Sequence, residues 1–100
     1  MKITLLCALG MSTSLLVEKM KKAASAKSIE AEIEAHSVDD LEEQLKTADV
    51  ILLGPQIRYK KNELFSKADA ANTPMDIIDM KSYGILDGEK VLEQALKLIN

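Results

Sequence analysis

The sequence predicts an α/β domain built on a four-stranded parallel sheet, and three observations carry that expectation. Apolar residues recur with a period of two in some segments and near 3.6 in others, and the two periods alternate along the chain. Val50-Ile51-Leu52-Leu53 is a continuous apolar run bounded by Asp49 and Gly54-Pro55, as expected of a central strand covered on both faces. Ile29, Ala31, Ile33 and Ala35 alternate with Glu30, Glu32 and Glu34, the pattern of a strand at the sheet's edge with one wet face.

Taken in order, the first strand runs from Lys2 to Leu6. A helix follows from about Ser12 to Lys27, with Leu15, Leu16, Met20, Ala23 and Ala24 on one face and Glu18, Lys19, Lys21 and Lys22 on the other. The alternating segment, Ile29 to Ala35, is the second strand. Ser37-Val38-Asp39-Asp40 resembles a capping box opening a short helix to about Lys46. Val50–Leu53 is the third strand, and a further helix falls within Lys61 to Ala70. Met75 to Ile78 reads as the fourth strand; Pro74 at its start suits an edge strand, which can omit a ladder donor. Asp87 caps a last helix in which Val91, Leu92, Ala95, Leu96 and Ile99 recur at helical spacing.

Two edge-type and two central-type strands suggest the spatial order 2-1-3-4, with helices on both faces. In such a sheet the crevice opens where strand order reverses, at the carboxyl ends of strands one and three. Cys7 and the Gly54-Pro55-Gln56 turn are therefore expected on one rim.

Composition narrows the function. One hundred residues with 47% hydrophobic content suffice for one core, so residues 1–100 are read as a single domain. The single cysteine cannot form an internal disulfide, which suits a reducing cytoplasm. There is no charged leader with an apolar h-region and no run of about 18 apolar residues, so a soluble cytoplasmic protein without membrane insertion is expected. Thirteen basic against sixteen acidic residues give a charge of −3, the wrong sign for a broad phosphate-backbone binder, and the two tyrosines and one phenylalanine leave little to stack on bases. Nucleic acid is not an expected partner.

Cys7 lies where the first strand runs into a helix, in Cys7-Ala8-Leu9-Gly10-Met11-Ser12-Thr13-Ser14. A loop there can present backbone N–H groups from Ala8 through Ser14 around the sulfur, and the helix aims the positive end of its dipole at the same point. Both favour thiolate over thiol and a bound anion over none. Gly10 can ease convergence of the amides, and the three hydroxyls of Ser12, Thr13 and Ser14 can cap the helix or donate to an anion. The competing reading is a buried structural cysteine behaving as a small hydrophobe. No Gly-Lys-Ser/Thr ending and no Gly-x-Gly-x-x-Gly is present, which disfavours nucleotides. Cys7 and His36 lack metal-ligand spacing, so no metal or other cofactor is expected. His36 reads as a surface or partly buried polar residue, and Asp39, Asp40, Glu42 and Glu43 as a solvated face.

Three segments together, Cys7 through Val17, Ala48 through Tyr59 and Tyr83-Gly84 with Asp87-Gly88, resemble the enzyme IIB component of the phosphoenolpyruvate-dependent sugar phosphotransferase system, lactose/cellobiose class. The resemblance covers nearly the whole chain. It implies a bacterial phosphocysteine carrier in which Cys7 accepts a phosphoryl group from phosphohistidine of enzyme IIA. The group then passes to a β-linked disaccharide or β-glucoside bound by membrane enzyme IIC. A monomer associating with the permease is expected, with Gly54, Pro55, Gln56, Arg58 and Tyr59 as rim or partner contacts. The competitor is a low-molecular-weight tyrosine phosphatase or related thiol-dependent reductase, which resembles this chain in sheet and cysteine position. Phosphatases of that type carry Cys-x5-Arg, whereas the sixth position after Cys7 is Thr13, and the loop has no Lys or Arg. Asp79 and Asp87 are the positions open to a general acid. A binding module with a structural cysteine is the third reading.

Overall fold

The computed structural model describes residues 1–8 and 13–99. Four parallel strands, β1 Lys2–Cys7, β2 Glu32–Ser37, β3 Val50–Leu53 and β4 Met75–Ile77, form one sheet in the order β2-β1-β3-β4. The helices are α1 Ser14–Ala26, α2 Leu41–Thr47, α3 Lys61–Ala70, α4 Met80–Gly84 and α5 Gly88–Ile99. Strand order and parallel pairing agree with the sequence expectation. So do the bounds of β3, and α3 lies in the segment expected to contain a helix.

The pleat of the two central strands sorts their side chains into two cores. Ile3, Leu5, Val50 and Leu52 pack with Leu16, Met20, Val91 and Leu92 of α1 and α5. Leu6, Ile51 and Leu53 face the other way, against Leu41 of α2 and Leu64 of α3. The alternation follows directly from successive side chains pointing to opposite faces. Because the chain moves from β1 outward to β2 and then back across to β3, crossovers of one hand place α1 and α2 on opposite faces. Thr4 is the polar member of this buried set. Its Oγ1 donates to Gln44 Oε1 at 2.9 Å, and both residues are buried.

The element that departs most from expectation is β2, which spans Glu32–Ser37 rather than Ile29 to Ala35. Ile29 N–H donates to Ala24 C=O at 2.9 Å, completing the exit turn of α1, with Ser28 in the left-handed region at φ 56°. A residue engaged in a helix C-terminal turn cannot also open a ladder. Pairing with β1 starts where Glu32 N–H reaches Met1 C=O at 2.8 Å. The helix expected from Ser37 begins as a 3₁₀ turn, Val38–Asp40, with Ser37 Oγ accepting from Asp39 N–H at 3.3 Å. A 3₁₀ segment Pro55–Lys60 and the short α4 are additions to the expected element list.

Two edges flank the sheet. On β2, Glu34 accepts from His36 Nε2 at 2.8 Å and pairs with Lys2 Nζ at 3.5 Å. The His36 bond, helped by Lys2, holds the Glu34 carboxyl below its ordinary value. His36 is half-buried within this cluster, as a polar surface residue would be. The other edge, β4, is three residues long. Its end is fastened by Gln94 of α5, whose Nε2 donates to Ile77 C=O at 2.7 Å and whose Oε1 accepts from Asp79 N–H at 3.0 Å.

Helix α5 approaches α1 closely at Gly88. A Cβ there would stand 2.4 Å from Lys19 C and 2.6 Å from Met20 N. Asp87 caps α5 through Lys90 N–H at 3.1 Å. Among the described residues, no helix is long and apolar enough to cross a membrane.

Candidate functional site

Cys7 ends the central strand β1, where the sheet's topology reverses, and its residue is 1% exposed. Three neighbouring elements converge on it. From the start of α1, buried Thr13 directs Oγ1 to Cys7 Sγ at 3.7 Å. The hydroxyl that sequence reasoning offered to a helix cap or an anion is thus aimed at the sulfur. From β3, Gly54 N–H donates to Leu6 C=O at 2.7 Å, carrying the ladder one residue beyond the strand. A Cβ built on Gly54 would stand 3.4 Å from Cys7 Cβ and 2.6 Å from Gln56 Oε1. A side chain at position 54 would displace the Gln56 carboxamide from that space, while the backbone at φ −61°, ψ 143° suits any residue.

From β2, Ser37 stands in register with Cys7, and its Oγ donates to Ala8 C=O at 3.2 Å. This contact was not anticipated, since Ser37 read only as a helix cap. The register Cys7↔Ser37 follows from parallel pairing, which a sequence pattern alone does not number. Tyr83 of α4 is the second unanticipated neighbour, because Gln56 Nε2 donates to its hydroxyl.

The expected site residues therefore divide. Cys7, Ala8, Thr13, Gly54 and Gln56 are brought together at the carboxyl ends of β1 and β3. Ser14 opens α1 and is exposed, and Pro55 starts the 3₁₀ segment beside Gly54. Arg58 points along the rim, with Nη1 3.3 Å from Met80 Sδ, and Tyr59 is 75% exposed. Leu9, Gly10, Met11 and Ser12 lie outside the described residues.

Both positions considered for a phosphatase-type general acid are engaged in helix capping. Asp79 Oδ2 accepts from Ser82 N–H and Ser82 Oγ, each at 2.9 Å, and Asp87 Oδ1 accepts from Lys90 N–H. The Ser82 backbone bond, followed by its hydroxyl, holds the Asp79 carboxyl below its ordinary value. A carboxyl so held stays ionised near neutral pH and has no proton to give. No cluster of three or more His, Cys, Asp or Glu able to hold a metal occurs among the described residues.

A four-stranded parallel sheet in the order 2-1-3-4 with helices on both faces defines a class of α/β folds that includes a low-molecular-weight tyrosine phosphatase. The fold superposes on that of YwlE from Bacillus subtilis with a TM-score of 0.53 at 16% identity, covering 100% of this chain and 99% of the other. That likeness concerns the fold alone. The family is decided by sequence: the chain belongs to the lactose/cellobiose-specific IIB subunits of the phosphotransferase system, whose family model matches residues 2–94.

It is 49% identical over 98 residues to the oligo-beta-mannoside-specific EIIB component of Bacillus subtilis, covering 98% of this chain and 95% of that one. To the galactose-specific EIIB component of Lactococcus lactis subsp. cremoris it is 48% identical over 103 aligned residues, with the same coverage. The solution structure of the cellobiose-specific IIB component from Borrelia burgdorferi matches with a TM-score of 0.85 at 42% identity, covering 100% of this chain and 92% of that one. The chain is thus a sugar-class phosphotransferase component.

Proposed function

We propose that this protein is a phosphocysteine carrier that relays a phosphoryl group from enzyme IIA to a sugar in membrane enzyme IIC. The observation that carries this reading is the setting of Cys7: its thiol ends the central strand, receives the Thr13 hydroxyl, and adjoins the Gly54–Gln56 turn. Membership in the IIB family supplies the reaction class.

In the first step Sγ, as thiolate, attacks phosphorus of a phosphohistidine on IIA. The S–P bond forms as the N–P bond breaks, and the imidazole leaves with the bonding electron pair. In the second step a sugar hydroxyl attacks the same phosphorus, its proton passes to a base, and Cys7 leaves as thiolate. Such a transfer needs alignment and stabilisation of the equatorial oxygens rather than a metal. Backbone amides from Ala8 through Ser14 are assigned that stabilisation, with the dipole of α1 behind them. Gly54, Pro55 and Gln56 form the facing rim, and Arg58 and Tyr59 extend it toward a docking partner.

Hydrolysis is disfavoured for two reasons. Thr13 stands where a phosphatase places its clamping arginine, and Asp79 and Asp87 are held in helix caps. The sugars named for the relatives, oligo-beta-mannoside, galactose and cellobiose, sit at comparable identities. A β-linked disaccharide or β-glucoside is the proposed substrate class, selected by IIC. The working location is the cytoplasmic face of a bacterial permease, as a monomer.

The test is to incubate the protein with phosphoenolpyruvate, the general phosphotransferase proteins and a cognate IIA, and to locate phosphate by mass spectrometry. One phosphoryl group on Cys7 is expected, and none on a folded Cys7→Ser variant, whose hydroxyl is far less nucleophilic near neutral pH. Full transfer by the serine variant would defeat the assignment.

A further inference from the structure

Helix α4 has no part in the transfer chemistry above, yet its Tyr83 reaches the rim through Gln56. Gln56 Oε1 lies 2.6 Å and Cys7 Cβ 3.4 Å from the position a Gly54 Cβ would take, so the carboxamide and the cysteine flank the same space over Gly54. The other end of that carboxamide, Nε2, is bonded to the Tyr83 hydroxyl. Tyr83 is itself fixed: its N–H donates to Asp79 C=O at 2.9 Å, and Asp79 is anchored to Ser82 and Gln94.

Resting on the carrier reading of Cys7, we propose that Tyr83 is a positioning residue that holds the Gln56 carboxamide beside the sulfur and lets it turn over when the sulfur is phosphorylated. A carboxamide has an acceptor at one end and a donor at the other, whereas a phenol hydroxyl can both accept and donate. In the resting protein the amide nitrogen donates to Tyr83 and the oxygen occupies the space over Gly54, on the side of the cysteine. A phosphoryl group brings oxygens that repel a carbonyl oxygen. Rotation by half a turn presents Nε2 to those oxygens, and Oε1 then accepts from the Tyr83 hydroxyl. The anchor survives the exchange because the hydroxyl reverses its role. A side chain with one fixed polarity at position 83 could not serve both states.

The test is a double-mutant cycle on the full chain with Tyr83→Phe, Gln56→Met and the two combined. Single-turnover acceptance from phosphorylated IIA is measured, together with the Gln56 side-chain amide resonances before and after phosphorylation. Each single variant is expected to accept roughly ten-fold more slowly, the worth of one lost hydrogen bond. The double variant should be no slower than either, and thermal melting confirms that all are folded. The wild-type Gln56 amide resonances should shift on phosphorylation.

Additive slowing, or Tyr83→Phe transferring at the wild-type rate, would overturn the proposal while leaving the carrier intact. Unchanged Gln56 resonances in the phosphorylated wild type would do the same. If wild-type Cys7 takes no phosphoryl group, the carrier reading falls and the proposal with it.

Discussion

Gly88→Ala sets helix propensity against packing, and the structure says which prevails. Gly88 opens α5, and its φ lies outside the left-handed region, so nothing in the backbone conformation requires glycine. On propensity alone, alanine should stabilise the helix by up to about 1 kcal/mol. The added Cβ, however, would stand 2.4 Å from Lys19 C and 2.6 Å from Met20 N, where ordinary contact begins at 3.4 Å. Both are backbone atoms inside α1, so no side chain can swing aside. To restore contact distance, α5 must withdraw by about 1 Å, loosening Val91, Leu92 and Ala95 from Leu16, Met20 and Ala24, all buried in one core.

Overpacking of this kind costs about 3 kcal/mol at the upper end of its usual range, leaving a net loss of about 2 kcal/mol after the propensity gain. For a chain of this size that corresponds to a fall in Tm of roughly 8–16 °C. Urea titration followed by circular dichroism reads the difference, with the slope m expected to match wild type. A variant equal to or more stable than wild type would refute the close approach of α5 to α1.

Three further outcomes follow from particular contacts. Thr4→Val should cost about 1–3 kcal/mol in denaturant titration, because Gln44 loses its hydroxyl donor inside the sheet–α2 interface, and adding Gln44→Leu should recover much of the loss. Ser28→Gly should raise stability by about 1 kcal/mol, since Ser28 holds φ 56° on an exposed turn where a Cβ is penalised; an unchanged midpoint would contradict that backbone. Glu34 has a lowered folded-state pKa, so its contribution is present above the ordinary value of 4.5 and lost as pH falls through the folded value. Glu34→Gln should therefore flatten the stability profile below that pH; a profile parallel to wild type would mean the His36 bond contributes nothing.

Periodicity made most of the fold legible. The apolar run Val50–Leu53 has the bounds expected of it, because Asp49 and Gly54-Pro55 frame it locally, and α3 fills the segment expected to contain a helix. β2 was displaced because its first apolar residue, Ile29, fits an alternating strand and a helix exit turn equally well, and the turn prevailed through Ser28. α4 escaped notice because five residues cannot display a helical period, and its stability comes from the Asp79 cap and the Gln94 clamp supplied by α5. The site shows the same division. Cys7 and Gly54 could be placed on one rim from strand order alone, since both end central strands. Ser37 and Tyr83 could not, because one depends on ladder register and the other on an unseen helix. Arg58 and Tyr59, expected as rim or partner contacts, fall on the 3₁₀ segment that follows β3, with Tyr59 exposed and Arg58 beside Met80.

The two borders of the sheet bear on how the molecule behaves in a crowd. An unpaired strand edge is a template for another chain, and long flat apolar edges invite sheets to join. Here one border carries Glu32 and Glu34, so a second copy approaching it would have to bring those carboxylates against their own kind. The other border stops after three residues, too short to recruit a stable partner strand. Open-ended sheet growth is thereby blocked on both sides without a covering segment. Neither border therefore offers a long apolar edge on which two molecules could join their sheets.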